Sequence, residues 1–179
     1  MTTYVALLYS IGVAEPGRRV VMADLKAMAA ALGCREARTV ASTGNLIFEA
    51  EETPLAEIEA KLEDAFEKRF GRRVAIILRE GRAWRRLARG NPFLRESAQQ
   101  GDRVIVRVGR EQLGKTIEAA LTPHLAMGER IQAVGGDLWA YFPGEPAQSR
   151  LLRALTPKKL GGAGTLRNWN TVRRIEEML

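Results

Sequence analysis

The sequence predicts an α/β fold built of two successive βαββα units with mainly antiparallel sheets. The first observation is the order of segments in the first half, where short apolar, β-prone stretches alternate with stretches of helical periodicity. Strands are predicted at residues 3–11, 38–41, 46–49 and 74–78, and helices at 22–32 and 53–70. The second observation is that a similar order returns from residue 103 onward. This order is that of ferredoxin-like units.

Glycine and proline mark the ends of the predicted helices in the first half. Gly33 follows the first helix and Gly71 follows the second, as is typical of a helix C-terminus. Thr53-Pro54 predicts the start of the second helix, with Thr53 as its N-cap. Apolar residues at helical spacing predict the buried face of that helix: Leu55, Ile58, Leu62, Ala65 and Phe66.

The second half is predicted from the same signals. Its strands are expected at residues 103–108, 130–134, 137–142 and 165–167, and its helices at 111–121, 146–155 and 168–179. A further helix from residue 81, followed by a break at Gly90–Phe93, connects the halves. We therefore expect an N-terminal unit at 1–98, which includes this connecting helix, and a C-terminal unit at 99–179.

Composition places the chain among soluble globular proteins. Of its 179 residues, 46% are hydrophobic and 27% are charged, which argues against disorder. No apolar run is long enough for a membrane span, and the first residues resemble a strand rather than a signal peptide. The single cysteine, Cys34, excludes an internal disulfide. We expect a cytoplasmic protein without membrane association, and the many Ala, Arg and Gly residues indicate a GC-rich bacterial genome.

Positive charge is concentrated in one segment. Residues 71–110 carry 11 arginines and 3 acidic residues, whereas residues 1–70 have a net charge of −3 and residues 111–179 of +2. Within this segment Arg82, Arg85, Arg86 and Arg89 follow the i, i+3, i+4, i+7 spacing that puts them on one helix face. Like charges at this spacing repel, and a phosphate backbone or an acidic protein surface would relieve the repulsion. The alternative is a solvated face, with Glu80 and Glu96 supplying some relief.

Catalytic and metal-binding motifs are scarce. The sequence has no CxxC, HExxH, GxSxG or Walker motif, so we expect no metal and no cofactor. The only histidine, His124, has no Cys or His partner at metal-ligand spacing, and Cys34 has no neighbouring histidine. We expect His124 to be an exposed loop residue, and we expect neither residue to be catalytic. Whether the protein is an enzyme stays open.

Two glycine-containing loops are weaker candidates for anion binding. Lys158–Thr165 contains three glycines after two lysines, and successive N–H groups in such a loop can form an anion nest. Since the loop follows a predicted helix, a simple helix stop is the favoured interpretation. The loop at 10–19, with Gly12, Gly17 and two arginines before a helix, is the second candidate.

A dense polar cluster surrounds one indole near the C-terminus, in Gly164–Val172. Trp169 shares a predicted helix face with Val172 and Ile175, so we expect it to pack in the core. Asn168 or Asn170 can cap that helix. The remaining polar groups have two interpretations. They attach the helix to the hairpin at Asn45, or a cleft between the halves holds a small anionic ligand with Ser10, Asn45, Arg167, Asn168 and Asn170.

Several of these segments resemble, in order, a bacterial family known as domain of unknown function 1697. The first strand Tyr4–Leu8, the helix start Met22–Leu25, the hairpin Ser42–Phe48, the break Asn91–Phe93 and the signature Thr165–Val172 carry the resemblance. It implies ferredoxin-like units and no established reaction, cofactor or partner. One segment departs from the pattern: the family has Arg-Gly-Ile-Asn-Val-Gly-Gly after its first strand, whereas this chain has Tyr9–Glu15. If that loop forms part of a site, the site is altered here.

These observations rank three functions. The first is noncatalytic binding of a phosphate-bearing partner, such as nucleic acid, through the four arginines. The second is an enzyme acting on a small anionic metabolite at the junction of the halves. The third is a protein-interaction module, in which the basic face meets an acidic partner or an exposed sheet edge forms a dimer.

Overall fold

The computed structural model describes residues 1–11, 20–41 and 43–179. The chain divides into two compact units, one formed by Met1–Arg85 with Arg174–Leu179 and the other by Arg86–Arg173. The boundary predicted between residues 98 and 99 lies within the second unit. The predicted loop at 10–19 lies almost entirely outside the described residues, and so does Ser42 of the hairpin.

The first unit has the βαββαβ order. Its elements are β1 (Thr2–Leu8), α1 (Met22–Ala31), β2 (Arg35–Val40), β3 (Asn45–Ala50), α2 (Leu55–Phe70) and β4 (Ile76–Glu80). The strands form one sheet in the order β2-β3-β1-β4, with every neighbouring pair antiparallel. The apolar faces of α1 and α2 pack on this sheet, where Leu25, Leu62 and Phe66 are fully buried.

The second unit repeats this topology. Its strands are β5 (Val104–Gly109), β6 (Arg130–Val134), β7 (Asp137–Tyr141) and β8 (Gly164–Asn168), in the antiparallel order β6-β7-β5-β8. In both sheets the first strand of the unit is central, between its third and fourth strands. The predicted fold class of two βαββα units with antiparallel sheets is therefore confirmed.

The remaining helices are mostly short. They are α3 (Gly81–Arg89), α4 (Leu94–Gln99), α5 (Ile117–Leu121), α6 (Arg150–Ala154), α7 (Pro157–Leu160) and α8 (Trp169–Glu177). The break between α3 and α4 is stabilised by buried Asn91, whose amide oxygen accepts from the Phe93 N–H at 2.9 Å. Its amide nitrogen donates to the Ser97 hydroxyl at 2.8 Å. The chain therefore turns at the predicted position.

Two buried glutamates on α2 cover the outer edge of β4. Glu59 accepts a hydrogen bond from the Leu78 N–H, and Glu63 accepts one from the Ile76 N–H, both at 2.9 Å. The spacing fits because four helical residues rise about 6 Å and two strand residues about 6.6 Å. Alternate N–H groups of an edge strand point away from the sheet, where they can pair with another chain. The two carboxylates accept hydrogen bonds from two of these N–H groups instead.

Three local predictions are wrong. Thr53 does not cap α2, because its hydroxyl donates to the Glu51 carbonyl at 3.3 Å and Pro54 holds the N-cap position. The helix predicted at 111–121 is reduced to α5, since the Leu113 N–H bonds to the Gly136 carbonyl and Gly114 follows. The helix predicted at 146–155 is divided into a 3-10 turn and α6, because the Ser149 side chain caps α6 through the Leu151 N–H.

Candidate functional site

The four arginines of α3 form one exposed surface, which we call the arginine face: Arg82, Arg85, Arg86 and Arg89. All four are exposed, whereas Trp84 and Ala88 on the opposite side of the helix are buried. The 3.6-residue period of the helix produces this separation directly from the sequence. The helix therefore presents four guanidinium groups to solvent along two turns.

Acidic neighbours neutralise only part of the arginine face. Glu80 forms an ion pair with Arg82, and that hydrogen bond raises the pKa of the Arg82 guanidinium. Arg85, Arg86 and Arg89 form no ion pair or side-chain hydrogen bond with any residue that the structure describes. Their mutual repulsion therefore lacks a direct counter-charge in this part of the chain.

Glu96, the second expected source of relief, pairs with Arg130 instead. That hydrogen bond lowers the pKa of the Glu96 carboxyl. The Arg130 guanidinium also lies 5.1 Å from the ring centre of Phe93 and 5.0 Å from that of Tyr141. Glu96 is therefore engaged by Arg130, and no ion pair between described residues joins it to the arginine face.

A small cavity beside Arg82 and Arg85 does not provide an anion pocket. It has a volume of about 220 Å³, and the carboxylates of Glu52 and Glu80 line it together with the two arginines. Both carboxylates would repel an anion. The arginine face therefore acts as an open surface, which suits an extended polyanion better than a small enclosed ligand.

The C-terminal signature makes local structural contacts. The Asn168 side chain accepts from the Thr171 N–H at 3.0 Å and so caps α8, as predicted. Arg167 is buried, and its Nη1 donates to the Thr165 hydroxyl at 2.7 Å and to the Leu166 carbonyl at 2.8 Å. Burial lowers the pKa of Arg167 to about 10. Trp169 is partly buried, with its ring centre 6.1 Å from that of Trp139.

The remaining residues of the predicted cleft lie in different surroundings. Asn45 is fully buried at the start of β3, where its amide donates to the Val40 carbonyl at 2.8 Å and to the Thr43 hydroxyl at 3.0 Å. Ser10 is exposed and has a φ of 54°. Ser10 and Asn45 belong to the first unit, whereas Arg167, Asn168 and Asn170 belong to the second. A shared pocket of these five residues stays a prediction.

Asn170 and Trp169 line an open cavity of about 530 Å³ in the second unit. Gln99, Gln100 and Arg173 also line it. Asn170 is exposed and lies so close to Gly101 that a Cβ there would approach its amide oxygen to 2.2 Å. The sequence indicated the polar cluster at Trp169, but its neighbours at 99–101 could not be found from local spacing.

The described residues offer little for metal or thiol chemistry. They contain no group of three or more His, Cys, Asp or Glu side chains arranged to hold a metal ion. Burial raises the pKa of the Cys34 thiol, which reduces the reactive thiolate at neutral pH. No helix in the described part of the chain is both long and apolar enough to cross a membrane.

Sequence reasoning missed a buried arginine in the second sheet. Arg107, in the middle of the central strand β5, is only 1% exposed. The signal was present, because one arginine interrupts the apolar run Val104–Val108. A fully buried arginine is rare unless it is paired, so this residue belongs among the candidate functional groups.

One comparison with known proteins shows the family of this chain, and another shows its fold. The sequence profile of the family described as "Protein of unknown function (DUF1697)" matches residues 1–139. The C-terminal signature at 165–172 lies beyond this match, so its place in the family pattern stays a prediction. No curated protein sequence matches the chain.

A solved structure supports the same architecture over the whole chain. The conserved bacterial protein SP0830 from Streptococcus pneumoniae aligns with a TM-score of 0.75 and 22% sequence identity. The alignment covers 100% of this chain and 98% of that protein. At this identity the likeness shows the fold alone.

Proposed function

The chain belongs to the family described as "Protein of unknown function (DUF1697)", and from its arginine face we propose that it is a noncatalytic cytoplasmic binder of a phosphate-bearing partner, with nucleic acid as the partner class. The proposed contact surface is the arginine face on α3. The observation that carries the proposal is the exposure of Arg85, Arg86 and Arg89 without an ion pair to any described residue. Bringing phosphates to these groups would replace repulsion by attraction.

The dimensions of the arginine face suit a phosphate backbone. The seven residue steps from Arg82 to Arg89 rise about 10 Å along the helix axis. A nucleic-acid duplex presents about three phosphates per strand over that length. Arginine also donates in a planar fork that matches phosphate oxygens. Several arginines can therefore engage neighbouring phosphates of one strand.

We expect the protein to contact the phosphate backbone of the nucleic acid rather than its bases. Tyr4 and Phe48, two of the aromatic residues of the first sheet, are buried, with ring centres 5.7 Å apart. They cannot act as the exposed stacking platforms that RNA-binding sheets use. We therefore expect weak sequence preference and a strong dependence of affinity on salt.

The alternative of an enzyme acting on a small anionic metabolite has less support. The side chains of Asn45, Arg167 and Asn168 make local hydrogen bonds that stabilise a turn, a strand and a helix start. Groups engaged in this way are less available to a ligand. An acidic protein partner would meet the same arginine face and is separated from nucleic acid by the experiment below.

The test is the absorbance ratio at 260 and 280 nm, with a mass spectrum, for protein purified at low salt and again after a high-salt wash. Nucleic acid that co-purifies and is removed by the wash supports the proposal. A small molecule retained through the wash supports the enzyme instead. Protein that carries neither, and that also fails to bind labelled DNA and RNA at low salt, overturns the proposal.

A further inference from the structure

Arg107 lies in a space that two glycines leave open. Gly109 of β5 and Gly164 of β8 are register partners on adjacent strands. A Cβ on Gly109 would lie 2.8 Å from the Arg107 Nη1, and one on Gly164 would lie 2.6 Å from its Cζ. Any other residue at either position would displace the guanidinium. The two glycines therefore shape a cradle for this buried charge.

The guanidinium in this cradle has few partners. Its one hydrogen bond within the described chain is from Nη2 to the Gly161 carbonyl, at 3.4 Å, and its Nε is buried without a partner. Arg107 makes no ion pair with a described residue. The nearby Asp137 carboxylate raises the pKa of Arg107, but burial lowers that pKa by more. A buried cation with so little compensation is costly.

The loop that faces this guanidinium has the composition of an anion nest. Gly161 and Gly162 are exposed and have φ angles of 70° and 69°. The loop is held at both ends, because the Gly161 N–H donates to the Pro157 carbonyl at 2.9 Å and the Ala163 carbonyl accepts from the Arg110 N–H at 2.8 Å. Among the described residues, by contrast, the Gly161 carbonyl accepts only the long hydrogen bond from Arg107.

We propose that Arg107 and the loop Gly161–Gly164 form a binding site for a small tetrahedral oxyanion of the phosphate class. The anion replaces the Gly161 carbonyl oxygen beside the Arg107 guanidinium. It then accepts two parallel hydrogen bonds from that guanidinium. Rotation of the peptide between the two glycines turns an N–H toward the anion and forms the nest. The exposed Lys158 and Lys159, directly before the loop, supply further positive charge.

This site is separate from the arginine face and takes a small ion rather than a polymer. It is tested by titrating the ¹⁵N-labelled protein with inorganic phosphate against sodium chloride of equal ionic strength. We expect saturable shifts of the Arg107 Nε–H resonance and of the Gly161 and Gly162 amide resonances with phosphate only. We also expect the melting temperature to rise with phosphate concentration.

Arg107→Met should lose the phosphate-specific rise in melting temperature, and Arg107→Lys should retain only part of it because the forked donor is lost. Arg103→Met is the matched control. Arg103 is also a largely buried arginine of the second unit, but it pairs with Asp102 and Glu145, so its variant should keep the full response. If Arg107→Met does not fold, the resonance shifts of the unmodified protein show whether phosphate binds at this site.

The inference is overturned if the Arg107 and glycine resonances do not shift, or shift equally with chloride. It is also overturned if Arg107→Met responds to phosphate as the unmodified protein does. Arg107→Met keeps the arginine face, so its binding of nucleic acid should be unchanged. Failure of this site and failure of the proposed function are therefore distinguishable.

Discussion

Replacing Arg85, Arg86 and Arg89 together by glutamine tests the arginine face most directly. Because Arg82 is already paired with Glu80, about three charges are available to displace counterions from a duplex, which gives a slope of log K against log salt of about −2.7. Between about 50 and 200 mM salt the affinity of the unmodified protein should fall about 40-fold. The triple variant should lose nearly all of this dependence and most of its affinity at low salt.

The measurement is fluorescence anisotropy of a labelled DNA duplex over a series of salt concentrations. The matched control replaces Arg35, Arg38 and Arg150, which are also exposed but lie on β2 and α6. Both triple variants change the net charge by the same amount. The control should keep the slope of the unmodified protein. Equal losses in the two variants would show that overall charge, rather than the arginine face, binds the duplex, and this result would refute the reasoning.

Three further predictions concern single residues. Glu80→Gln frees Arg82 from its ion pair, so the same assay should show tighter binding and a slope steeper by about 0.9; an unchanged slope would place Arg82 outside the contact. Glu59→Ala removes the acceptor of the buried Leu78 N–H and should lower the free energy of unfolding by about 1–3 kcal/mol in urea denaturation, whereas a loss near zero would mean that water replaces the carboxylate. Asn168→Ala removes the cap of α8 and should cost about 1 kcal/mol in the same measurement, with Asn168→Asp restoring the stability.

Most of the fold could be predicted from the sequence because its signals are local. Short apolar, β-prone stretches indicated the strands, and Gly33 and Gly71 marked helix ends where the structure has φ angles of 82° and 72°. Two of the failures show where a local signal is misleading. Thr53 carries the right side chain for a cap, and Gly114 interrupts a pattern that otherwise suits a helix. In both places bonds to other parts of the backbone decided the outcome.

The sequence by itself determined the order of the elements and the alignment of four arginines on α3, since helical periodicity follows from residue spacing alone. The tertiary structure decided which charges are neutralised. It paired Glu96 with Arg130 rather than with the arginine face, and it enclosed Arg107 between two glycines far apart in the chain. Spacing along a chain reports neighbours within a turn or a strand pair, whereas the surroundings of a charge depend on segments that only folding brings together.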